Sequence, residues 1–241
     1  MKRVPYGHNL GFFTSPPHEC GYLADRKAMT MFLDPRINID RRTYSWLSAR
    51  GFRRSGEHVY QPRCPGCSAC IPVRIRVADF NPKRIDRRTL KKNEDLTVVA
   101  RDADFDQEHF ELYRRYLISR HPDSKMDADS AEAYISFLIA PWSDTVFYEF
   151  RCEENLLAVA VVDHLDDALS AVYTFYDPMA QHRGLGRLAI LKQIEIALEH
   201  KKSWLYLGYW IKDCAKMSYK AQYRPLEKFT RGAWRELDDD Q

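Results

Sequence analysis

The spacing of apolar residues changes character along this chain. From residue 1 to about Val77 they are scattered among Pro, Arg and aromatic residues, as in F-F-T-S-P-P-H, M-F-L-D-P and Y-S-W-L-S-A-R-G-F-R-R-S-G. That texture predicts short strands and turns, with one short helix over 41–50 closed by Gly51. At Ile71 the run I-P-V-R-I-R-V alternates apolar and basic residues, which predicts a strand with Arg74 and Arg76 on one face. The stretch F-N-P-K-R-I-D-R-R-T-L-K-K that follows is the most basic in the chain and reads as a linker or helix.

Beyond it the periodicity is regular. A strand at 97–100 leads to a helix over 106–120 carrying Phe110, Tyr113 and Leu117 at helical spacing. A second helix is expected to start at Asp129, with Glu132 completing a capping box and Pro141 beyond its end. T-V-F-Y-E-F, L-L-A-V-A-V-V-D and A-L-S-A-V-Y-T-F-Y-D-P predict three strands, the last two a hairpin turning at Asp166 and Asp167. Q-H-R-G-L-G-R then opens a helix to about His200 whose buried face is Leu185, Leu188, Leu191, Ile194 and Leu198. A strand W-L-Y-L-G-Y-W-I, a short helix over 216–223 and a final aromatic strand near 229–234 complete the pattern. The expectation is an α+β fold in two parts. Residues 1–95 form a smaller Cys- and Arg-rich N-terminal α/β part, packed on a C-terminal part, 96–241, of mixed sheet and flanking helices, whose strands with the turn Gln181, Gly184 and Gly186 resemble the GNAT-like acyltransferase layout.

Composition narrows the class of protein. With 241 residues, 45% of them hydrophobic and 29% charged, the chain is neither fibrous nor largely disordered. It has no run of about 18 apolar residues and no apolar signal core near Met1, so a cytoplasmic protein without a membrane partner is expected. The net charge of +3 permits a nucleic-acid partner without requiring one. It also averages over unlike ends: arginine crowds the first ninety or so residues, while the chain closes on Asp238, Asp239 and Asp240. Six cysteines in a reducing compartment are thiols, metal ligands or catalytic groups rather than disulfides. Cys152 and Cys214, isolated, are expected to act as small buried hydrophobes.

Four constellations carry candidate chemistry. The turn Gln181-x-x-Gly184-x-Gly186 opening a helix removes side chains where backbone N–H groups approach a phosphate, though a tight strand-to-helix turn uses the same residues. Cys64, Cys67 and Cys70 lie at the two-residue spacing of a metal or iron-sulfur site, with Cys20 as a fourth ligand and His8 or His18 as substitutes; a set of reduced or redox-sensing thiols has the same spacing. Lys83, Arg84, Arg87, Arg88, Lys91 and Lys92 among aromatic residues suit a single-stranded RNA end, or simply a solvated helix face. Finally, Y-L-G-Y-W-I-K-D-C-A-K-M-S-Y-K is too polar for core and too aromatic for plain surface. It sets Lys216 and Lys220 on one helix face, where their repulsion invites an anion.

Taken in order, C-G-Y-L at 20–23, R-C-P-G-C-S-A-C-I-P-V-R at 63–74, L-S-A-V-Y-T-F-Y-D-P at 169–178, R-G-L-G at 183–186, Y-L-G-Y-W-I at 206–211 and K-M-S-Y-K with R-P-L-E beyond it resemble the arginyl-tRNA-protein transferase family, most specifically its bacterial leucyltransferase branch. The resemblance spans nearly the whole chain. It implies a cytoplasmic aminoacyltransferase that moves leucine from leucyl-tRNA to the N-terminal Asp or Glu of a protein, creating an N-degron. In one departure, Leu23 stands where eukaryotic members carry a second cysteine of a C-G-Y-C pair. The chemistry requires no cofactor, and a structural or regulatory zinc or iron-sulfur cluster on Cys20, Cys64, Cys67 and Cys70 stays open.

On that resemblance, the glycine turn with Arg183, Gly184 and Gly186, the cations Lys83, Arg84, Arg87, Arg88, Lys91 and Lys92, and Lys220 are expected to hold the tRNA. Tyr173, Tyr209 and Lys216 are expected to line the acyl centre. Asp163, ending an apolar strand, is the candidate to bind the incoming ammonium or take its proton, unless it has only a turn role. Arg74 and Arg76 are the candidates for the acceptor's carboxylate, which a guanidinium fork fits best. Two rival readings remain: an acetyl-CoA-dependent N-acetyltransferase using the same glycine turn, and a non-enzymatic metal-containing RNA-binding module.

Overall fold

The computed structural model describes residues 10–121 and 127–237, so His8 and the acidic residues Asp238, Asp239 and Asp240 lie outside the described residues. The first part of the chain is short strands around one helix: β1 (Phe12–Thr14), β2 (His18–Glu19), β3 (Lys27–Ala28), β4 (Thr30–Leu33), α1 (Arg41–Ser48), β5 (Arg53–Ser55), β6 (His58–Pro62) and β7 (Ile71–Arg76). β1, β4, β6 and β5, in that order, make a small antiparallel sheet, and β2 pairs with β3 apart from it. α1 begins where Asp40 accepts a hydrogen bond from the Thr43 N–H at 2.7 Å, giving a first-turn donor its partner. It stops before Gly51, whose φ of +87° disfavours any side chain.

Next come α2 (Arg84–Lys92), β8 (Thr97–Asp102), α3 (Gln107–Arg120), α4 (Ala131–Leu138), β9 (Thr145–Cys152), β10 (Asn155–His164), β11 (Ala168–Tyr176), α5 (Leu185–Glu199), β12 (Trp204–Trp210), α6 (Ala215–Ser218), β13 (Leu226–Thr230) and β14 (Ala233–Glu236). The large mixed sheet runs β14-β13-β7-β12-β11-β10-β9-β8. Among the described residues only β11 and β12 pair in parallel, with α5 as the crossover between them. β7 lies between β13 and β12, so the sheet draws strands from both sides of residue 95.

Alternation along β10 explains the layers. Ala158, Ala160 and Val162 point to a core shared with Leu185, Leu188 and Ile194 of α5, while Val159 and Val161 point the other way, to Leu112 and Leu117 of α3 and Leu138 of α4. Three sequence expectations change in detail. Leu198 is 47% exposed, the inward position in the last turn of α5 being taken by Ala197. Ser130, not Asp129, caps α4, its hydroxyl accepting from the Ala133 N–H at 3.0 Å. The last aromatic segment is not one strand but the hairpin β13–β14, turning through Arg231 and Gly232, both at positive φ.

Two contacts of β5 and the turn after it fasten the small sheet to the C-terminal part. Gly56 donates its N–H to the Phe137 carbonyl at 2.8 Å, and a Cβ there would sit 1.9 Å from the Ser136 oxygen, so only glycine allows the approach. Beside it the Arg54 guanidinium, through Nε and Nη2, forks onto both oxygens of Asp163 at 2.7 and 2.6 Å. Thr145 and Tyr44 donate to the same carboxylate at 2.8 and 2.9 Å, and the Arg54 and Asp163 side chains are fully enclosed. The expected role of Asp163 toward an incoming amine therefore fails on geometry: its lone pairs are taken and no path reaches it. Asp163→Ala would strand a buried guanidinium, at a cost of about 3–5 kcal/mol in urea unfolding. A variant as stable as the wild type but inactive would restore Asp163 to the chemistry.

Candidate active site

The parallel pairing of β11 with β12 covers only Ala168–Ser170 against Trp204–Tyr206. Past those residues β11 follows β10 and β12 follows β7, so the two strands part and open a wedge in the middle of the sheet. Both strands are irregular where they part. Val172 is an extra residue between the pairs Val162–Ala171 and Val161–Tyr173, and Leu207 is extra between Tyr206–Arg74 and Gly208–Val73. Each bulge re-aims the side chains beyond it. Gly208, at φ +78°, takes the bend on β12.

Aromatic residues line the β11 side. Tyr173 packs edge-on to Phe137 with centroids 5.1 Å apart and to Tyr116 at 6.2 Å, and Tyr116 meets Tyr176 at 4.9 Å. Burial, reinforced by the Tyr116 and Tyr113 hydroxyls, pushes the Tyr173 phenol well above its ordinary value, so it stays a neutral donor. At the end of α3, His121 packs on the Tyr116 ring at 5.6 Å. Burial, then the charges of Lys216 and Arg120, lower its affinity for a proton. Lys216 is exposed, as is Tyr219, and they lie within electrostatic reach of His121 and Tyr116, which brings α6 and the turn after it near the end of α3.

The β12 side is polar and enclosed. The Lys220 amine donates to the Tyr209 carbonyl at 2.6 Å and lies against Gly208, where a Cβ would be 3.6 Å from Nζ. The Tyr209 hydroxyl donates to the carbonyls of Gly51 and Tyr60 at 3.0 and 3.3 Å, so it is a strut between the two sheets rather than a group open to substrate. Arg53 is buried alongside. Its Nη1 donates to the carbonyls of Phe52 and Ser48, its guanidinium lies 4.7 Å from the Tyr206 ring centre, and Nε and Nη2 have no hydrogen-bond partner.

The glycine turn is built as expected. Asp177 caps a short 3₁₀ helix, Pro178–Arg183, Gly184 is left-handed at φ +70°, and α5 starts at Leu185, with Gly186 against the Tyr176 ring. α2 is tied to this turn: Lys92 and Asn93 donate to the His182 and Arg183 carbonyls, Arg183 forks onto Asp95 at 2.9 Å, and Arg187 pairs with Asp86 at 2.7 Å. Lys83, Arg84, Arg87, Arg88, Lys91 and Lys92 are exposed on the same helix region. The glycines and cations singled out in the sequence thus converge on one surface.

Other expected residues are placed elsewhere. Arg74 and Arg76 both pair with Glu227, at 2.7 Å each, and Arg74 stacks on Trp204 at 3.4 Å, at the closed end of the wedge. Glu227 occupies the fork of the enclosed Arg74, while Arg76, half exposed, divides its donors between Glu227 and Asp79. Lys220 is only 6% exposed, its amine turned to the Tyr209 carbonyl rather than to the basic surface of α2. Cys20, Cys64, Cys67 and Cys70 are reduced and half-buried, and they lie within electrostatic reach of one another. Cys64 hydrogen-bonds the Met29 backbone, and burial pushes the Cys70 thiol up to about 12. Among the described residues no three His, Cys, Asp or Glu side chains are grouped as they would be around a metal ion. Cys214 is buried as expected, whereas Cys152 is half-buried with its thiol on Asp95. Sequence reasoning missed Arg53, Tyr116, Tyr176 and Gly208; a glycine inside the strand pattern Y-L-G-Y was the available signal for the last.

Comparison with known proteins gives consistent matches. The family models described as the N terminus and the C terminus of arginine-tRNA-protein transferase match residues 18–88 and 108–230. The chain is 52% identical over 225 residues to an aspartate/glutamate leucyltransferase of Hahella chejuensis, covering 93% of this chain and 96% of that one. It is 52% identical over 230 residues to the protein of that name from Alcanivorax borkumensis, covering 95% of each. Among solved structures, FemX aligns over 81% of this chain and 60% of its own at 10% identity and a TM-score of 0.45. Among the described residues, no helix is long and apolar enough to cross a membrane.

The enclosure of Lys220 has a measurable consequence. Burial, then repulsion from Arg53, pushes its amine down to about 7, against about 10.4 in an unfolded chain. Between those values the unfolded state holds a proton that the folded state lacks, so this group makes stability rise with pH. The unfolding free energy of the wild type relative to Lys220→Met is expected to climb from pH 7 to pH 10. A flat difference contradicts the assignment.

Proposed function

The chain belongs to the arginine-tRNA-protein transferase family, and from that premise we propose that it is an aspartate/glutamate leucyltransferase. It moves leucine from leucyl-tRNA to the α-amine of a protein beginning with Asp or Glu, as a cytoplasmic enzyme that creates an N-degron. The observation that carries this reading is the wedge between β11 and β12, with the glycine turn and the basic α2 joined on one side of it. The wedge is a slot for an acyl group at the end of a long anionic carrier. The exposed cations of α2 and the turn suit the phosphates of the tRNA acceptor end, and Tyr116, Tyr176 and Tyr219 offer faces on which its unpaired bases stack.

The reaction asks little of the protein in proton transfer. An N-terminal amine has a pKa of about 7.7–8.0, so a useful fraction is already neutral near pH 7. The amine attacks the ester carbonyl, forming the C–N bond and an oxyanion. Collapse breaks the bond to the ribose oxygen, which takes up the proton the amine gives away. A single well-placed donor to the oxyanion is worth about 3–4 kcal/mol, and holding the two reactants together is worth more. The neutral Tyr173 phenol is the donor we assign to the acyl centre, with Lys216 at its mouth. No step of this reading requires a cofactor.

Incubating the protein with labelled leucyl-tRNA, acetyl-CoA and an Asp-starting peptide tests the assignment. Leucine is expected on the peptide; acetyl transfer without leucine would favour an N-acetyltransferase, and tRNA binding without transfer a non-enzymatic RNA-binding protein. Replacing Arg84, Arg88 and Lys91 with Gln is expected to weaken tRNA binding and to flatten its log-log salt dependence by roughly 0.7 for each phosphate no longer neutralised.

A further inference from the structure

Most charges inside this fold are answered by a charge of opposite sign. Arg54 faces Asp163, Arg74 faces Glu227, Arg151 faces Glu149 and Arg187 faces Asp86. Arg53 and Lys220 differ. They are 4% and 6% exposed, close enough that Arg53 makes Lys220 harder to protonate, and neither forms an ion pair with any described residue. A buried guanidinium beside a buried amine, with no anion between them, is costly to charge fully, and such an arrangement is retained where an anion arrives from outside.

The unpaired donors have a specific geometry. Nη1 of Arg53 is fixed on the carbonyls of Phe52 and Ser48, which sets the plane of the guanidinium. The donors left without a partner are Nε and Nη2, the adjacent pair along one edge. That edge presents two parallel N–H groups at the spacing of the two oxygens of one carboxylate. Lys220 holds the Tyr209 carbonyl on β12, the strand that forms one wall of the wedge, and Tyr60 and the half-exposed Tyr22 stand on the same side within reach of Tyr209.

Resting on the leucyltransferase reading, we propose that Arg53 and Lys220 form the specificity site for the acceptor, receiving the side-chain carboxylate of its N-terminal Asp or Glu. One or two methylenes separate that carboxylate from the carbon bearing the nucleophilic amine. A carboxylate site at the wall of the wedge therefore presents the amine to an ester lying in the wedge. Asn and Gln offer a single acceptor oxygen and no charge, so they neither answer the Arg53 guanidinium nor favour the protonated form of the Lys220 amine. The site replaces Arg74 and Arg76 as the reader of the acidic residue, and it draws one cation from the small sheet and one from the segment after β12.

The test compares acceptors rather than overall activity. Peptides starting with Asp, Glu, Asn and Gln are presented to the wild type, Lys220→Met and Arg53→Gln, and binding is measured by calorimetry beside the kcat/KM of leucine transfer. Each variant is expected to bind Asp- and Glu-starting peptides about 10- to 100-fold more weakly, the worth of one charged hydrogen-bonding group, and the preference for Asp over Asn is expected to shrink by the same factor. Lys220→Arg should recover part of the preference. A folded Lys220→Met enzyme that loses Asp and Asn transfer equally, or keeps the full preference, overturns the proposal. Should Arg53→Gln fail to fold, the Lys220 variants carry the decision. Absence of leucine transfer by the wild type would instead reject the leucyltransferase reading, whatever the binding data show.

Discussion

The Arg54–Asp163 pair is the contact on which the arrangement of the site depends. Successive residues of a strand face opposite ways, so fixing Arg54 on one face of β5 also fixes Arg53 on the other. Arg54 reaches the large sheet near the closed end of the β11–β12 pair; Arg53 is thereby turned toward Tyr206 on β12. The pair is not an efficient way to gain stability, since desolvating two charges offsets most of their attraction. What it supplies is direction, because a forked guanidinium and a carboxylate that also accepts from Tyr44 and Thr145 have one geometry. Gly56 acts with it by allowing the neighbouring backbone to touch α4.

The wedge poses the opposite problem. Where two strands part, backbone groups lose their ladder partners, and an unanswered buried carbonyl is expensive. On β12 a side chain supplies the missing partner: Lys220 donates to the Tyr209 carbonyl, and Gly208 leaves room for its amine. On β11 the aromatic rings of Tyr173 and Tyr176, packed against α3 and α4, hold that wall in place. The opening is thus propped by specific residues on each strand, and the same lysine that props it brings an amine to its edge.

How much of this was legible in the sequence follows from how local each feature is. The helices α1, α3 and α5 and the β10–β11 hairpin were visible because period, cap and turn residues act within a few positions. The glycine turn and the basic helix were visible for the same reason, and their meeting in space follows from one crossover. The errors concern pairing across long separations. Arg74 and Arg76 look alike, and look available, until β13 brings Glu227 beside them, 153 residues on from Arg74. Asp163 is taken by an arginine 109 residues earlier. Arg53 and Arg54 are neighbours of identical type, and only the tertiary fold makes one an anchor and leaves the other unanswered.

The distribution of charge, rather than its total, then accounts for the two substrates. A net +3 describes a nearly neutral surface on average, yet many internal ion pairs cancel where they stand and contribute nothing to recognition. Arg84, Arg88 and Lys91 form no ion pair among the described residues and lie exposed, where salt screens them over about 10 Å. Such charges attract a polyanion from many directions and tolerate its sequence. Arg53 and Lys220 are enclosed, where screening is weak and geometry strict, and they answer to a single small anion in one orientation. A transferase that must accept a long carrier loosely and read one carboxylate strictly needs both kinds of site, and the fold separates them to the two sides of one wedge.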